Sequence, residues 1–173
     1  MKRASSRQHI SANTITRLLA RFAQLRVLVI GDLMLDRYVW GQVNRISPEA
    51  PVPVVRVTHE SLHPGGAGNV VTNIRALGGR VTVCGVVGQD RAGQRLRTEL
   101  RSYGAHVDGI VGSKPYETIS KTRIIAHSQQ VVRLDRDPTE NLTPHTRSRL
   151  RTFIQRHMPD FDVCVVSDYG KGL

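Results

Sequence analysis

The chain contains 173 residues, of which 39% are hydrophobic and 23% charged, and 25 Lys and Arg against 14 Asp and Glu give a formal net charge of +11. This length suits one domain of ordinary size or part of a larger one, and the composition is apolar enough to bury a core. No apolar run approaches the roughly 18 residues that span a bilayer, and polar residues interrupt the stretch where a signal peptide needs an apolar core. We therefore exclude a secreted, disulfide-framed or transmembrane protein and expect a cytoplasmic one.

Positive charge is concentrated at the start of the chain, where six basic residues precede the first acid, Asp32. Residues 1–25 are predicted to form a basic arm followed by an amphipathic helix. A basic arm is compatible with nucleic-acid binding, but Phe22 is its one aromatic residue and no nucleic-acid motif follows. A general excess of Arg explains the charge better, and an organelle transit peptide is a further alternative. No nucleic-acid or membrane partner is expected.

The predicted elements begin with that helix. Its apolar residues fall at helical spacing behind Ser11 or Asn13 as the N-cap: Ile15, Leu18, Leu19, Phe22 and Leu25. The next element, residues 27–30, is a continuous apolar run that ends at Gly31-Asp32. A strand with this pattern is buried on both faces, so we predict a central strand of a parallel sheet.

Strands and helices then alternate along the rest of the chain. Apolar runs predict strands over residues 81–87, 107–111 and 162–167, and 3.6-residue spacing predicts helices over 70–77, 91–103 and 143–154. The alternation is typical of a doubly wound α/β sheet. Residues 37–58 and 118–136 interrupt it, since each contains two β-rich runs without a helix between them. We predict that these two insertions form a small second sheet that projects from the main one.

A glycine-rich segment, Gly65-Gly66-Ala67-Gly68-Asn69, precedes one of the predicted helices. Glycines let the backbone approach a ligand closely, and the free N–H groups of a helix start attract anions or hydroxyl oxygens. A purely structural turn is an equally good interpretation, and Asn69 could be a helix cap or a ligand contact. The segment is not a dinucleotide fingerprint, because no strand is expected directly before it and the spacing differs. It is not a P-loop, because no Lys-Ser/Thr follows.

Charged residues follow the first and the last predicted strands. Asp32 and Asp36 follow the first strand, and Asp168 and Lys171 lie in a Gly-containing turn after the last one. The carboxyl ends of parallel strands are where open α/β sheets bind ligands. The first pair could accept hydrogen bonds from sugar hydroxyls or cap the next turn. The second pair suggests phosphate or hydroxyl binding, with a solvated turn as the alternative.

Metal and disulfide chemistry is not expected. Cys84 and Cys164 each lie in a β-branched run, which predicts two small buried thiols in a reducing compartment. The seven histidines lack ligand spacing, so no metal site is predicted.

Together with residues 44–53, Asn-Arg-Ile-Ser-Pro-Glu-Ala-Pro-Val-Pro, these motifs resemble the ribokinase-like (PfkB-type) carbohydrate kinases. Within that family, the sequence is most similar to the kinase part of bacterial D-glycero-β-D-manno-heptose-7-phosphate kinases, which are often fused to a heptose-1-phosphate adenylyltransferase. The resemblance runs from about residue 25 to the last residue. It implies a three-layer α/β fold with a largely parallel central sheet and a small β lid. Residues 26–173 would be the N-terminal, sugar-binding half of that fold only.

The resemblance also implies an activity and site residues. Family members transfer the γ-phosphoryl group of ATP to a sugar hydroxyl, here the 1-hydroxyl of heptose 7-phosphate, with a carboxylate base and Mg²⁺, for ADP-heptose and lipopolysaccharide core biosynthesis. The β lid would cover the sugar phosphate and could join two chains in a homodimer. Asp168 and Lys171 would lie near the phosphate. The substrate-binding residues would be Asp32, Asp36, Gly65, Gly66, Asn69, Lys121, Arg123 and Arg133.

The sequence departs from the family at the catalytic base, an Asp in a late Gly-Ala-Gly-Asp turn that we expect to lie beyond Leu173. In this chain Gly66-Ala67-Gly68 is followed by Asn69, and no two histidines lie three apart as an adenylyltransferase motif requires. We therefore expect no catalytic base, no nucleotide-binding half and no tight binding of ATP or Mg²⁺ by these residues alone. The alternatives are a kinase portion that is active when the missing half is supplied, and a non-catalytic remnant that binds sugar phosphate or dimerises. A basic nucleic-acid-binding protein is a remote third.

Overall fold

Helices and strands alternate in this computed structural model, which describes residues 11–173. In chain order the elements are α1 (Ala12–Phe22), β1 (Arg26–Gly31), β2 (Leu33–Ile46), β3 (Pro53–Gly66), α2 (Ala67–Ala76), β4 (Arg80–Gly88), α3 (Arg91–Ser102), β5 (His106–Ser113), β6 (Ile119–Ala126), β7 (Gln129–Arg136), α4 (Pro144–His157) and β8 (Val163–Ser167). The basic arm predicted at the start of the chain lies partly outside the described residues.

The central sheet has the strand order β5-β4-β1-β8, and each neighbouring pair is parallel. Its inner strand β1 carries the apolar run that predicted a central strand, and Val27, Leu28 and Val29 are buried. Because side chains alternate between the faces of a strand, Val27 and Val29 enter one core cluster while Leu28 enters the other. The predicted central parallel strand is confirmed.

Helices cover both faces of this sheet. Val71 of α2 and Leu96 and Leu100 of α3 pack on one face, and Leu150 of α4 packs on the other. The result is the three-layer α/β arrangement that the resemblance implied. The described helices are all too short or too polar to cross a membrane.

The first helix begins as predicted but is less buried than its pattern suggested. Ser11 is the N-cap, since its hydroxyl accepts a hydrogen bond from the backbone N–H of Thr14. Phe22 packs against the core, whereas Ile15, Leu18 and Leu19 are about half exposed. The apolar face of α1 therefore reaches the core through its last turn alone.

The second sheet has the order β3-β2-β6-β7 and contains both predicted insertions. The β2–β3 hairpin is antiparallel, β6 joins β2 in parallel, and β7 returns antiparallel to β6. The hairpin spans more residues than predicted, because Leu33 pairs with Gly66 and Met34 with Gly65 at its base.

The expectation that no strand directly precedes the glycine-rich segment is therefore wrong. Strand β3 runs up to Gly66, and α2 begins at the next residue. The pairing of β2 with β3 continues through Pro64, which lies opposite Leu35, to Gly65 and Gly66. Because β3 pairs antiparallel in the second sheet, the segment still lacks the parallel βαβ context of a dinucleotide site.

The two thiols differ in exposure. Cys84 is buried in β4, and burial raises the pKa of its thiol to about 12. Cys164 is exposed, so the prediction of a second buried thiol is wrong. The reason is its place in β8, the last strand of the described sheet, where Val166 is also 70% exposed.

A hydrogen-bond network around Asp90 joins the two sheets. Asp90 caps α3 by accepting from the N–H of Gly93 at 2.7 Å, and it also accepts from the N–H and the hydroxyl of Thr118, at 2.8 and 2.7 Å. The Thr118 hydroxyl in turn accepts from the N–H of Gly88. Burial acts to raise the pKa of Asp90, but the hydrogen bonds from Thr118 and Gly93 outweigh it and lower the pKa. The network fixes the start of β6, the strand that leads into the second sheet.

Replacement of Asp90 by Asn is expected to destabilise the fold by about 1–3 kcal/mol, because one carboxylate oxygen becomes an NH₂ donor that faces another donor. Urea unfolding followed by circular dichroism measures the change. Asp108→Asn is the matched control, since Asp108 is exposed and makes no side-chain hydrogen bond among the described residues. Equal unfolding midpoints for the two variants would contradict the role of the network.

Candidate functional site

A cleft of about 420 Å³ lies between the second sheet and the start of α2. Its lining residues are Asp36, Tyr38, Trp40, Ser61, His63, Pro64, Asn69, Thr72 and Tyr103. Asp36 and Asn69, two of the predicted substrate-binding residues, meet here although they belong to different elements. The cleft is thus lined by a carboxylate, an amide, hydroxyls and aromatic rings, which are the groups that recognise polyhydroxylated ligands.

Asp36 is bound to a cation from the neighbouring strand. Arg123 Nη1 donates to Asp36 Oδ1 at 2.6 Å, and the Arg123 guanidinium lies 5.1 Å from the centre of the Tyr38 ring. The register causes this contact, because Tyr38 pairs with Arg123 and Asp36 with Lys121, which places these side chains on one face. The hydrogen bond to Asp36 raises the pKa of Arg123. The carboxylate and the guanidinium hold each other as an ion pair beside the cleft.

Two glycines allow Asp36 and α2 to come this close. A Cβ on Gly65 would collide with the Asp36 carboxylate and lie 2.9 Å from the Met34 side chain. Gly66 has φ +57°, a left-handed conformation that glycine adopts without strain. The N–H of Ala67 then donates to the carbonyl oxygen of Asp32 at 2.9 Å. The two glycines serve the close packing of the cleft floor.

Asn69 is not the helix cap. Helix α2 begins at Ala67 with Gly66 as its N-cap, so Asn69 lies in the first helical turn. Its backbone carbonyl accepts the Thr72 hydroxyl at 2.8 Å, and its side chain lines the cleft. Of the two roles considered for Asn69, the structure removes the capping role.

Sequence reasoning missed a row of aromatic side chains along the cleft wall. Trp40 and His59 stack nearly parallel with centroids 5.5 Å apart, and Tyr38 meets His63 edge-on at 5.7 Å. The signal was available, because Asp36, Tyr38 and Trp40 alternate along one strand and therefore share one face. Ring faces of this kind pack against the apolar C–H surface of a sugar.

Two other basic residues of the second sheet that were predicted to bind substrate, Lys121 and Arg133, form ion pairs with Asp135 instead of lining the cleft. Lys121 Nζ and Arg133 Nε each lie 2.8 Å from a carboxylate oxygen of Asp135. The hydrogen bond from Lys121 is the largest cause of the lowered pKa of Asp135. Lys121 and Arg133 share the sheet face of Arg123 but do not line the cleft. Their assignment as substrate-binding residues stays a prediction.

Asp32 organises the turn after β8. It is 3% exposed, and its Oδ2 accepts from the N–H groups of Tyr169 and Lys171 at 2.8 and 3.1 Å. Asp168 Oδ1 accepts from the N–H of Gly170, and Lys171 Nζ lies 2.9 Å from Asp137. Asp32, Asp168 and Lys171 thus meet at the predicted sheet edge. Asp32 does not line the cleft with Asp36, and its role as a sugar ligand also stays a prediction.

Leu173, beyond which we expect the catalytic base, lies in the same segment after β8. It is 39% exposed and does not line the cleft around Asp36. The two carboxylates nearest to it in the chain, Asp168 and Asp162, are bonded to the N–H of Gly170 and to Arg26, respectively. The position of the base beyond Leu173 stays a prediction.

The metal implied by the family finds no ligand set in this part of the chain. Across residues 11–173, no three His, Cys, Asp or Glu side chains converge as metal ligands. Asp168 and Asp137 are engaged with a backbone N–H and with Lys171, respectively. These residues do not fit a Mg²⁺ site, and we derive no step through the metal.

Known sequences similar to this chain fall in one protein family. Residues 24–157 match the pfkB family carbohydrate kinases. Relatives named bifunctional protein HldE, from Citrifermentans bemidjiense and Geobacter sulfurreducens, are each 47% identical over 153 and 156 residues. These alignments cover 88% and 90% of this chain but 31% and 32% of the relatives. The chain therefore spans about a third of the length of the relatives it matches.

Solved structures share the fold. Phosphofructokinase-2 from Escherichia coli aligns with a TM-score of 0.64 at 21% identity, over 83% of this chain and 44% of that one. A carbohydrate kinase from Agrobacterium tumefaciens aligns with a TM-score of 0.64 at 22% identity, over 82% of this chain and 45% of that one. Both confirm the predicted ribokinase-like fold, of which this chain has the N-terminal portion. By sequence and by fold, the chain belongs to the pfkB family of carbohydrate kinases.

Proposed function

We propose that this chain supplies the sugar-binding part of an ATP-dependent kinase that phosphorylates the 1-hydroxyl of D-glycero-β-D-manno-heptose 7-phosphate. The observation that carries the proposal is the cleft in which Asp36, held by Arg123, faces Asn69 and the aromatic wall. The similarity of residues 44–53 to heptose-7-phosphate kinases and the shared name of the relatives support the choice of sugar.

Each group of cleft residues would make a different kind of contact with a bound sugar. The Asp36 carboxylate accepts hydrogen bonds from hydroxyls, and the Asn69 amide can both donate and accept. Tyr38 and Trp40 provide an apolar wall against which the sugar ring lies. Arg123 positions the carboxylate through its ion pair with Asp36. Such a site orients an acceptor hydroxyl before phosphoryl transfer, which is where much of the catalytic advantage of kinases arises.

A second candidate is a non-catalytic chain that dimerises through the second sheet. Strand β7 is exposed along its whole length, and Val131, Val132 and Leu134 are each more than 40% exposed. Exposed apolar side chains on an outer strand favour a contact with another chain. Dimerisation is compatible with the kinase role, since a lid shared by two chains would also close the cleft.

Titration calorimetry of the 173-residue chain tests the sugar proposal. We expect saturable 1:1 binding of D-glycero-β-D-manno-heptose 7-phosphate, with weaker binding of fructose 6-phosphate because its smaller sugar contacts fewer groups of the cleft. Equal affinity for the two sugars would contradict the heptose assignment. No saturable binding of either sugar phosphate would contradict the sugar-binding role itself.

A further inference from the structure

Helix α4 carries an uncompensated cluster of positive charge. Its 14 residues include four arginines and no acid. Arg149 and Arg156 are exposed and form no ion pair with a described carboxylate, and residues 1–10 contain no Asp or Glu that could supply one. Like charges this close on one helix repel each other unless an anion lies between them.

Helix α3, on the opposite face of the central sheet, adds positive charge at the same sheet edge. Arg97 of α3 donates from Nη2 to the carbonyl oxygen of Ile110 in β5, the outer strand beside α4. Burial lowers the pKa of Arg97, and repulsion from Arg101 and Arg149 lowers it further. Arginines of α3 and α4 thus act on each other electrostatically at this edge of the central sheet.

A groove of about 350 Å³ follows one side of α4 at this place. Its lining includes His145, Ser148, Arg149, Thr152, Phe153 and Arg156. The Phe153 ring closes the bottom of the groove: it packs against Gly109 of β5 and lies 4.6 Å from the ring of His157. The groove shares no lining residue with the cleft around Asp36.

The groove combines the groups that bind phosphate. Arg149 and Arg156 offer planar guanidinium forks, which match phosphate oxygens in pairs, and Ser148 and Thr152 add hydroxyls one helical turn apart. Asp160, which follows α4 and does not line the groove, is bonded to His157 at 3.2 Å.

The spacing of the two arginines sets the size of the ligand. Arg149 and Arg156 are seven residues apart, so their backbones are separated by about 10 Å along the helix axis. A chain of linked phosphates can contact both guanidinium groups with their side chains extended, whereas a single phosphate would require both like-charged side chains to turn toward one point. We infer that the α4 groove, defined by His145, Ser148, Arg149, Thr152, Phe153 and Arg156, binds a small molecule that carries two or more linked phosphate groups.

The same helix provides a matched control. At about 100° per residue, Arg147 and Arg151 project from the opposite side of α4, with the buried Leu150 between the two sides, and neither lines the groove. A diffuse attraction to the basic protein would depend equally on all four arginines. Specific binding in the groove would depend on Arg149 and Arg156 and not on Arg147 or Arg151.

The experiment is calorimetric titration of the 173-residue chain with tripolyphosphate, at an ionic strength of about 0.15 M so that diffuse attraction is screened. We expect 1:1 binding that is at least about tenfold tighter than that of inorganic phosphate. The double variant Arg149→Gln/Arg156→Gln is expected to lose about tenfold or more in affinity, since charge-assisted hydrogen bonds are removed. Arg147→Gln/Arg151→Gln, with the same change in net charge, is expected to bind within about twofold of the unmodified chain.

Three results would overturn the inference. The first is no saturable binding of tripolyphosphate by the unmodified chain, and the second is an equal loss of affinity in the two double variants. The third is loss of binding in Lys171→Gln, which would place the anion at the sheet edge near Asp168. Thermal unfolding of each variant, with and without tripolyphosphate, separates lost binding from lost folding because a ligand raises the unfolding temperature only of a chain that binds it. None of these results depends on whether heptose 7-phosphate binds.

Discussion

Replacement of Asp36 by Ala is expected to abolish sugar-phosphate binding by this chain. A carboxylate that accepts hydrogen bonds from two hydroxyls contributes about 1.5–3 kcal/mol for each, so its loss lowers the affinity by more than about a hundredfold. The variant also leaves Arg123 without the carboxylate that it contacts at 2.6 Å. Titration calorimetry with heptose 7-phosphate measures the change.

A second variant at this position separates the effect of charge from that of shape, and a variant elsewhere in the second sheet serves as its control. Asp36→Asn keeps the size of the side chain but removes the charge that pairs with Arg123, so we expect an intermediate loss. Glu60→Gln is the matched control, because Glu60 also forms an ion pair in the second sheet, with Arg37, but does not line the cleft. If the unmodified chain binds the sugar and the Asp36→Ala variant binds it with the same affinity, Asp36 is not a sugar-binding residue.

The sequence was sufficient to predict the central sheet because burial on both faces imposes a continuous apolar run. Burial on both faces leaves an inner strand as the one good solution for residues 27–30. The helix predicted from residue 143 also begins there, because Thr143 is its N-cap and accepts from the N–H of Thr146 at 3.1 Å. These features are local, and their physical cause lies within a few residues.

The register between distant segments could not be predicted, although the pairing of the two insertions into one sheet was. Arg123 reaches Asp36 because β6 joins β2 in parallel with one particular register, although 87 residues separate them. A shift by one residue would turn Arg123 to the other face. The motif predicted a sugar-binding role equally for Asp32 and Asp36. In the structure Asp32 is instead buried and accepts hydrogen bonds from backbone N–H groups after β8. Cys164 was misjudged for the same reason, since the exposure of a strand depends on its neighbours.

The second large effect concerns catalysis. A polypeptide of these 173 residues is expected to have no measurable ATP-dependent kinase activity. Phosphoryl transfer needs a base within hydrogen-bond reach of the acceptor hydroxyl and donors around the γ-phosphate. Asp36 is the one carboxylate among the residues that line the cleft, and its Oδ1 is already bonded to Arg123. Asp32 and Asp168 accept backbone N–H groups of the turn after β8.

A chimera provides the positive counterpart. Residues 1–173 joined after Leu173 to about 140 residues of following kinase sequence from a pfkB relative would reach the size of a whole domain, and we expect this protein to phosphorylate heptose 7-phosphate. An ADP-release assay compares the two proteins, and Asp36→Ala in the chimera is expected to lower its turnover because the acceptor sugar is no longer held. Heptose-dependent ADP release by the 173-residue chain, abolished by Asp168→Asn, would contradict the prediction. It would show that the turn after β8 supplies the base, since Asp168 would then have exchanged its backbone N–H partner for the acceptor hydroxyl.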